Sequence, residues 1–256
     1  MIIAARRKEL LGFLKEQGSV NTKEASKRLG VSEMTIRRDL DWLYSNNFVT
    51  KVHGGAVYKD FMVSHVTVEY SDRKMENMDL KKQIAREAVK LVEDNCSIYL
   101  DGGTTCGEIA VVLPRNFTLT IITDNLAIHS MLQNVTNYTT ILIGGTLAAD
   151  HNTLDGLLAL EMAKMLTCDI AFFSCASADT KGLMNTDTIG VPVKKEMVEK
   201  ASCSVCVCDS SKLEKSSIYR TISWLGVDYF FTDTKANDSF LRKIKGFNQH
   251  LVYKKC

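Results

Sequence analysis

The sequence predicts an α/β protein in two parts: a small N-terminal helical module with a β hairpin, then a larger domain built on a mostly parallel sheet. Three observations predict it. Helical patterns within the first 58 residues end in a β-branched run broken by Gly-Gly. Beyond residue 79, short apolar runs of strand length alternate with amphipathic segments. Four of those runs are succeeded by small, polar or glycine residues.

In the first part, Arg6 to Gln17 places Leu10, Leu11 and Leu14 at helical spacing, and Gly18 ends the pattern. Asn21 or Thr22 caps a short second helix whose buried edge is Ala25 and Leu29, and Gly30 supplies a tight turn. Ser32 then opens a third helix in which Ile36, Leu40 and Leu43 form one apolar stripe. Met34, Arg38, Asp41 and Ser45 fall opposite that stripe, with Thr35 and Arg37 on its flanks. Phe48 to Tyr58, β-branched and aromatic around Gly54-Gly55, reads as a hairpin. Helix, helix, turn, helix and wing in that order describe a winged helix-turn-helix, whose third helix suits the major groove of DNA. The candidate DNA contacts are Ser32, Met34, Thr35, Arg37 and Arg38 on the helix and Lys51 and His53 in the wing. Two adjacent arginines alone describe a solvated face equally well; the ordered cap, turn and wing favour DNA. Residues 1–60 carry 11 Lys and Arg against 7 Asp and Glu, while the rest carries 21 against 23, so the basic bias lies where DNA would bind.

The 256 residues leave enough chain beyond this module for one substantial core, and 45% apolar with 24% charged residues is ordinary for a globular protein. No apolar run approaches the roughly 18 residues of a membrane span. Arg6, Arg7 and Lys8 interrupt the N-terminal apolar residues before a signal-peptide core develops, so cytoplasmic residence is expected. The eight cysteines are dispersed in hydrophobic segments and read as buried free thiols. Cys203 and Cys206 form a CxxC with Cys208 two residues on, which leaves redox or metal chemistry as the alternative, but no second pair or histidine completes a zinc site. The histidines at 65, 129, 151 and 250 lack metal-like spacing. Neither a metal nor a cofactor is expected.

Residues 59–78 show no period and are the expected linker, leaving 1–58 and 79–256 as domains. Asp79 to Val92 is an amphipathic helix through Leu80, Ile84, Ala88 and Leu91. Buried strands are expected at Ser97 to Leu100, Leu119 to Ile122, Thr140 to Ile143, Ile170 to Phe173, Val205 to Val207 and Tyr229 to Phe231. The functional signal lies in the loops after four of these strands: Asp101-Gly102-Gly103-Thr104-Thr105, Thr123-Asp124-Asn125, Gly144-Gly145 and Asp209-Ser210-Ser211-Lys212. In an open α/β sheet, ligands bind outside the carboxyl ends of the strands, so these loops converge on one expected crevice. Gly102 and Gly103 allow close approach of backbone, and Thr104-Thr105 open a helix whose free N–H groups favour an anion such as phosphate. The loop is neither a Walker A sequence nor GxGxxG. An ordinary strand-to-helix turn would also account for it, and Lys212 is either a cation for the anion or simply solvated.

The stretch TIRRDL at residues 35–40, with HGGA at 53–56, resembles the DeoR family of bacterial transcriptional repressors, and the similarity runs through most of the chain. The resemblance implies a sugar-phosphate-sensing domain of a fold similar to ribose-phosphate isomerases behind the N-terminal module. It implies that DGGTT, T-x-N, GG and D-x-S-K line the effector pocket, which carries onto Asp101, Gly102, Gly103, Thr104, Thr105, Gly144, Gly145, Asp209 and Lys212, with Thr123, Asp124 and Asn125 as the T-x-N site. Three departures stand out. Thr123-Asp124-Asn125 replaces the usual Thr-Asn-Ser, putting a carboxylate where an amide is common. Ser177 to Asn185 differs from the usual glycine-containing stretch, leaving Asp179 and Lys181 either as sugar or phosphate contacts or as an exposed turn. Gly190 stands where an acidic residue is common before the next helix.

The expected function is therefore a DNA-binding transcriptional regulator, a repressor of sugar-metabolism genes released by a phosphorylated sugar, acting on operator DNA as a homo-oligomer, dimer or tetramer. The alternative is a sugar-phosphate isomerase or transferase using Asp101, Asp179 and Lys212 as acid-base groups, a reading that leaves the first 58 residues unexplained. A constitutive DNA-binding protein whose second domain only oligomerises is the third.

Overall fold

A computed structural model describes residues 3–17, 19–45, 48–52, 54–58, 73–148, 152–186 and 188–256, and the chain divides into two units, 1–69 and 70–256. The first contains α1 (Ile3–Gln17), β1 (Ser19–Asn21), α2 (Thr22–Leu29), α3 (Glu33–Ser45), β2 (Val49–Val52) and β3 (Gly55–Tyr58). Of the two cap candidates Asn21 takes the role, its Oδ1 accepting the Lys23 N–H at 2.8 Å. Thr22 is the first helical residue, and its hydroxyl donates to the Gly54 carbonyl at 2.9 Å, tying α2 to the hairpin. Gly30 ends α2 at φ +63°, a left-handed conformation that a side chain would resist. The strands form an antiparallel sheet in the order β1-β3-β2. Ile36, Leu40 and Leu43 are buried as the stripe predicts, against Leu10, Leu14, Ala25 and Leu29. Gly18 and His53 lie outside the described residues, as do the side chains of Ser45 and Lys51.

One contact in this unit is not written in the stripe. Asp39, within the TIRRDL run, is buried between Arg6 at 2.5 Å and Arg7 at 2.9 Å. Arg7 also lies over the Trp42 ring, 4.5 Å from its centroid. A carboxylate holding two guanidinium groups locks α1 across α3, so part of the charge in this stretch serves the core and not the surface.

The second unit is a three-layer α/β domain. Its elements are α4 (Met78–Ala88), β4 (Ser97–Leu100), α5 (Thr104–Val112), β5 (Leu119–Thr123), α6 (Leu126–Leu132), β6 (Tyr138–Leu142), β7 (Thr146–Leu147), β8 (Leu154–Asp155), α7 (Leu157–Lys164), β9 (Ile170–Phe173), β10 (Ser177–Asp179), β11 (Gly182–Asn185), α8 (Val191–Lys200), β12 (Cys203–Val207), β13 (Tyr219–Ile222), β14 (Tyr229–Thr232), α9 (Asp238–Phe247) and β15 (Val252–Lys255). Seven strands form a sheet in the order β15-β14-β12-β9-β4-β5-β6, and every neighbouring pair is parallel. Side chains alternate across it. Ile98, Leu100, Phe172, Val205 and Val207 meet α4, α5 and α6 on one face, while Tyr99, Phe173, Cys206 and Phe230 meet α7, α8 and α9 on the other. The cysteines are free thiols, those at 106, 168, 175, 206 and 208 buried. Three findings differ from the sequence reading. The strand expected at Thr140 to Ile143 starts two residues earlier, and β15 joins the sheet at its edge despite its two lysines, whose long stems an edge strand tolerates. Residues 73–77, placed in the linker, belong with this second unit: Asn77 donates to Asp209 at 3.1 Å, and Lys81 donates to the Arg73 carbonyl.

From β4 the chain steps through β5 and β6 toward one edge, and from β9 through β12, β14 and β15 toward the other. The direction reverses between β4 and β9, and a crevice opens outside the carboxyl ends at such a point.

Asp39→Ala leaves a buried Arg6 without its carboxylate and is expected to destabilise the first unit by on the order of 3 kcal/mol. Trp42 lies in this unit and Trp224 in the other. Urea unfolding monitored by Trp42 fluorescence in a Trp224→Phe background checks it, and an unchanged midpoint would show that the buried pair is not structural.

Candidate functional site

The carboxyl ends of β4 and β9 are joined by a buried ion pair. Asp101, just after β4, lies 3.2 Å from the Lys194 ammonium of α8, and both side chains are less than a tenth exposed. The same Asp101 Oδ2 accepts the Ser174 N–H at 3.0 Å, and Lys194 donates to the Ser174 carbonyl at 3.1 Å. Burial works against the Lys194 ammonium, but the Asp101 carboxylate outweighs it and raises the lysine's pKa. Asp101 thus acts as the brace between the two halves of the sheet at its switch point.

Gly102 and Gly103 come next in the chain, and close packing explains both. A Cβ at Gly103 would come 2.7 Å from the Ser174 Cβ, and one at Gly102 would come 2.9 Å from the Asn125 amide nitrogen. Gly103 is the N-cap of α5 and offers no side-chain cap bond, so the first N–H groups of this nine-residue helix remain available. Thr104 and Thr105 begin α5 and are buried. The Thr105 hydroxyl, the Asn125 amide nitrogen and the Ser174 hydroxyl are buried without a partner among the described residues. Three unsatisfied polar groups around one Gly-Gly turn are what a polar ligand would complete.

Two lysines lie near one another at the loop after β12 and the start of α4. The half-buried Lys212 comes three residues after Asp209, whose carboxylate caps the Ser211 N–H at 3.1 Å and receives the Asn77 amide. Lys81 of α4 is almost wholly buried; that burial and the neighbouring Lys212 push its pKa down. Lys81, Lys194 and Ser174 were not among the sequence candidates. For Lys194 a signal existed, since it lies on the buried stripe of Val193, Met197 and Val198, where a solvated lysine would not.

The remaining candidates divide. Thr123 serves the structure, its hydroxyl donating to the Leu100 carbonyl at 2.7 Å. Asn125 caps α6 through its Oδ1. Gly144 and Gly145 lie just past the outermost strand β6, and Gly145 packs against the Asp155 carbonyl, which a Cβ would approach to 2.6 Å. Asp179 and Lys181 are not brought into the cluster: Asp179 makes a two-pronged pair with Arg220, 2.7 Å on each oxygen, which holds its pKa down at about 2. Lys181 is exposed. Among the described residues no group of His, Cys, Asp and Glu could hold a metal ion.

Asp124 is 1% exposed and near the Tyr99 phenol, which donates to it at 3.4 Å. Burial first, then the Asp101 charge, raises its pKa from 3.8 to about 8. Gly190, the N-cap of α8 at φ +66°, presents its bare Cα to this carboxyl; a Cβ there would come 3.2 Å from Asp124 Oδ2. Two of the three departures from the family pattern therefore touch one another.

On the first unit, Met34 of α3 is 60% exposed, and Arg37 and Arg38 are exposed beside it. Ser32 and Thr35 share a hydroxyl hydrogen bond at 2.9 Å, and Ser32 also accepts the Thr35 N–H at 3.3 Å, so Ser32 caps the helix while Thr35 is half-buried.

The raised pKa of Asp124 sets a pH slope. Between about 4 and about 8 the folded state holds a proton that the unfolded carboxyl has lost, so this contribution to stability is full below the unfolded pKa of 3.8 and fades as pH rises through about 8. Chemical denaturation across that range should show falling stability of the second unit, and Asp124→Asn should flatten the slope; an unchanged slope would contradict the assignment.

Two family descriptions match the chain: the DeoR-like helix-turn-helix domain over residues 6–62 and the DeoR C-terminal sensor domain over 76–234. An uncharacterized HTH-type transcriptional regulator of Haemophilus influenzae is 30% identical over 98% of this chain and 97% of its own. The glycerol-3-phosphate regulon repressor of Escherichia coli is 27% identical over 98% of each. A solved ribose 5-phosphate isomerase A from Methanocaldococcus jannaschii aligns at a TM-score of 0.40 with 22% identity, over 54% of this chain and 55% of the other. The chain belongs to the DeoR family of transcriptional regulators.

Proposed function

We propose that this regulator is a repressor of sugar-metabolism genes whose grip on operator DNA is released by a phosphorylated sugar bound at the β4/β9 switch point. The observation that carries the reading is the meeting of an open helix N-terminus at α5, two neighbouring lysines, Lys81 and Lys212, and three unpartnered buried polar groups. A phosphate takes the N–H groups of Gly103 to Thr105 and the lysines, and sugar hydroxyls satisfy Asn125, Ser174 and Thr105. Residues 1–58 read DNA, 59–72 join the parts, and 73–256, which include residues 73–77 of the expected linker, sense and oligomerise. Met34, Arg37 and Arg38 face the bases, and Lys51 and His53 the backbone. In this reading the protein is a cytoplasmic homo-oligomer and not an enzyme: Asp101 is committed to Lys194, and Asp179 to Arg220, which leaves neither as a ready base. Among the described residues no helix is long and apolar enough to cross a membrane. For release to work, the sugar must prefer the arrangement with lower operator affinity.

Pentose and hexose phosphates screened by thermal shift should stabilise the protein without turnover; turnover would favour an isomerase instead. Lys81→Ala or Lys212→Ala should weaken binding of any hit about tenfold or more, as loss of a charge-assisted contact does. On DNA, Arg38→Ala should cost about 1–3 kcal/mol on the operator and little on random sequence, whereas Lys51→Ala should weaken both alike. Equal losses for Arg38→Ala on both would refute its base-reading role.

A further inference from the structure

Two buried carboxyls face one ammonium at the switch point. Asp101 takes it, with Lys194 at 3.2 Å and the Ser174 N–H at 3.0 Å. Asp124 is left with the Tyr99 phenol at 3.4 Å, and among the described residues no lysine or arginine lies within ion-pairing distance of it. Burial and the Asp101 charge disfavour its anion, but one neighbour favours it. Asp124 Oδ2 lies against the Gly190 N-cap of the ten-residue helix α8, where the positive end of the helix favours negative charge. Gly190 cannot be replaced without loss of that approach, since a side chain would press on the carboxyl and strain a left-handed backbone. The Asn125 amide and Ser174 hydroxyl next to the Gly-Gly turn are buried and unpartnered, so the crevice already lacks ligand polar atoms on this side. Buried carboxylates are normally paired, and what this one lacks is a cation.

We infer that Asp124 makes the crevice selective for a phosphorylated ligand that also carries a protonated amine, of the amino-sugar-phosphate class, whose ammonium becomes the second cation of the cluster. This rests on the reading of the α5 N-terminus and the two lysines as a phosphate site. Two acids and two cations then balance: Asp101 with Lys194, Asp124 with the ligand. In the unliganded protein the balance is met by a proton instead, consistent with the pKa of about 8. Binding at pH 7 therefore exchanges that proton for the ammonium and releases it to solvent.

The test is titration calorimetry on the full chain at pH 7, in two buffers of different ionisation enthalpy. The probes are glucose 6-phosphate against glucosamine 6-phosphate and galactose 6-phosphate against galactosamine 6-phosphate, with ribose 5-phosphate and inorganic phosphate alongside. In at least one pair the amine member should bind at least tenfold tighter with net proton release, and Asp124→Asn or Asp124→Ser should bring the ratio within the pair toward one. Equal affinities within both pairs, a ratio that survives both variants, or binding of ribose 5-phosphate with neither amino sugar overturns the inference while leaving the phosphosugar reading standing. Binding of none of the six overturns both. Proton release is measured on the unaltered protein, so the test holds even where a variant fails to fold.

Discussion

The Asp101–Lys194 pair is the contact on which the sensor half of this protein depends. At the switch point of a doubly wound sheet the chain connections leave in opposite directions, and the loops that follow the two central, paired strands β4 and β9 border the crevice. Here a carboxylate from the β4 end and an ammonium from α8 meet in the dry interior and share the backbone of Ser174 at the β9 end. Removing either partner would leave the other charge buried and alone, which is why such a pair fixes geometry even where it adds little net stability. The Gly102-Gly103 turn, the start of α5 and the Ser174 hydroxyl are all referenced to this brace. A crevice built on it is preorganised, and a ligand entering it need not order those groups afresh.

A similar arrangement holds in the DNA-reading unit. Asp39 gathers Arg6 and Arg7 from α1 and so sets the pose of α3 from within. Arg37 and Arg38 are left exposed because the acid one residue on is turned inward. The charge run that reads as a single basic stretch is divided by the helical period into a structural face and an exposed face.

Much of this was legible in the chain. Apolar runs of three or four residues bounded by glycine and polar clusters marked six of the seven sheet strands, because strands covered on both faces are apolar along most of their length. β15 escaped because Val252-Tyr253-Lys254-Lys255 belongs to an edge and keeps its lysine ends in water. That the loops after β4, β5 and β12 lie at one end of the sheet was legible too, since parallel strands bring their ends to one side. Three kinds of residue were not visible. Lys81 looks like a solvated lysine until the fold buries it, and Lys194 does so unless its place on the apolar stripe of α8 is noticed. Thr123 looks like a ligand group, yet its hydroxyl is needed to tie β5 to β4. Asp179 looks unpaired in sequence because Arg220, its partner, is 41 residues away. The contact between Asp124 and Gly190 joins two positions that, read along the chain, stand as unrelated departures.

The central claim is that a phosphorylated ligand is held at the β4/β9 switch point. Amide hydrogen exchange, with and without a stabilising sugar phosphate, addresses it most directly, because the proposed phosphate donors are backbone N–H groups. The account predicts added protection in residues 101–108, at the 209–213 loop and at the start of α4. Protection confined to residues 177–186 around the Asp179–Arg220 pair, or none in the sensor domain, would contradict it.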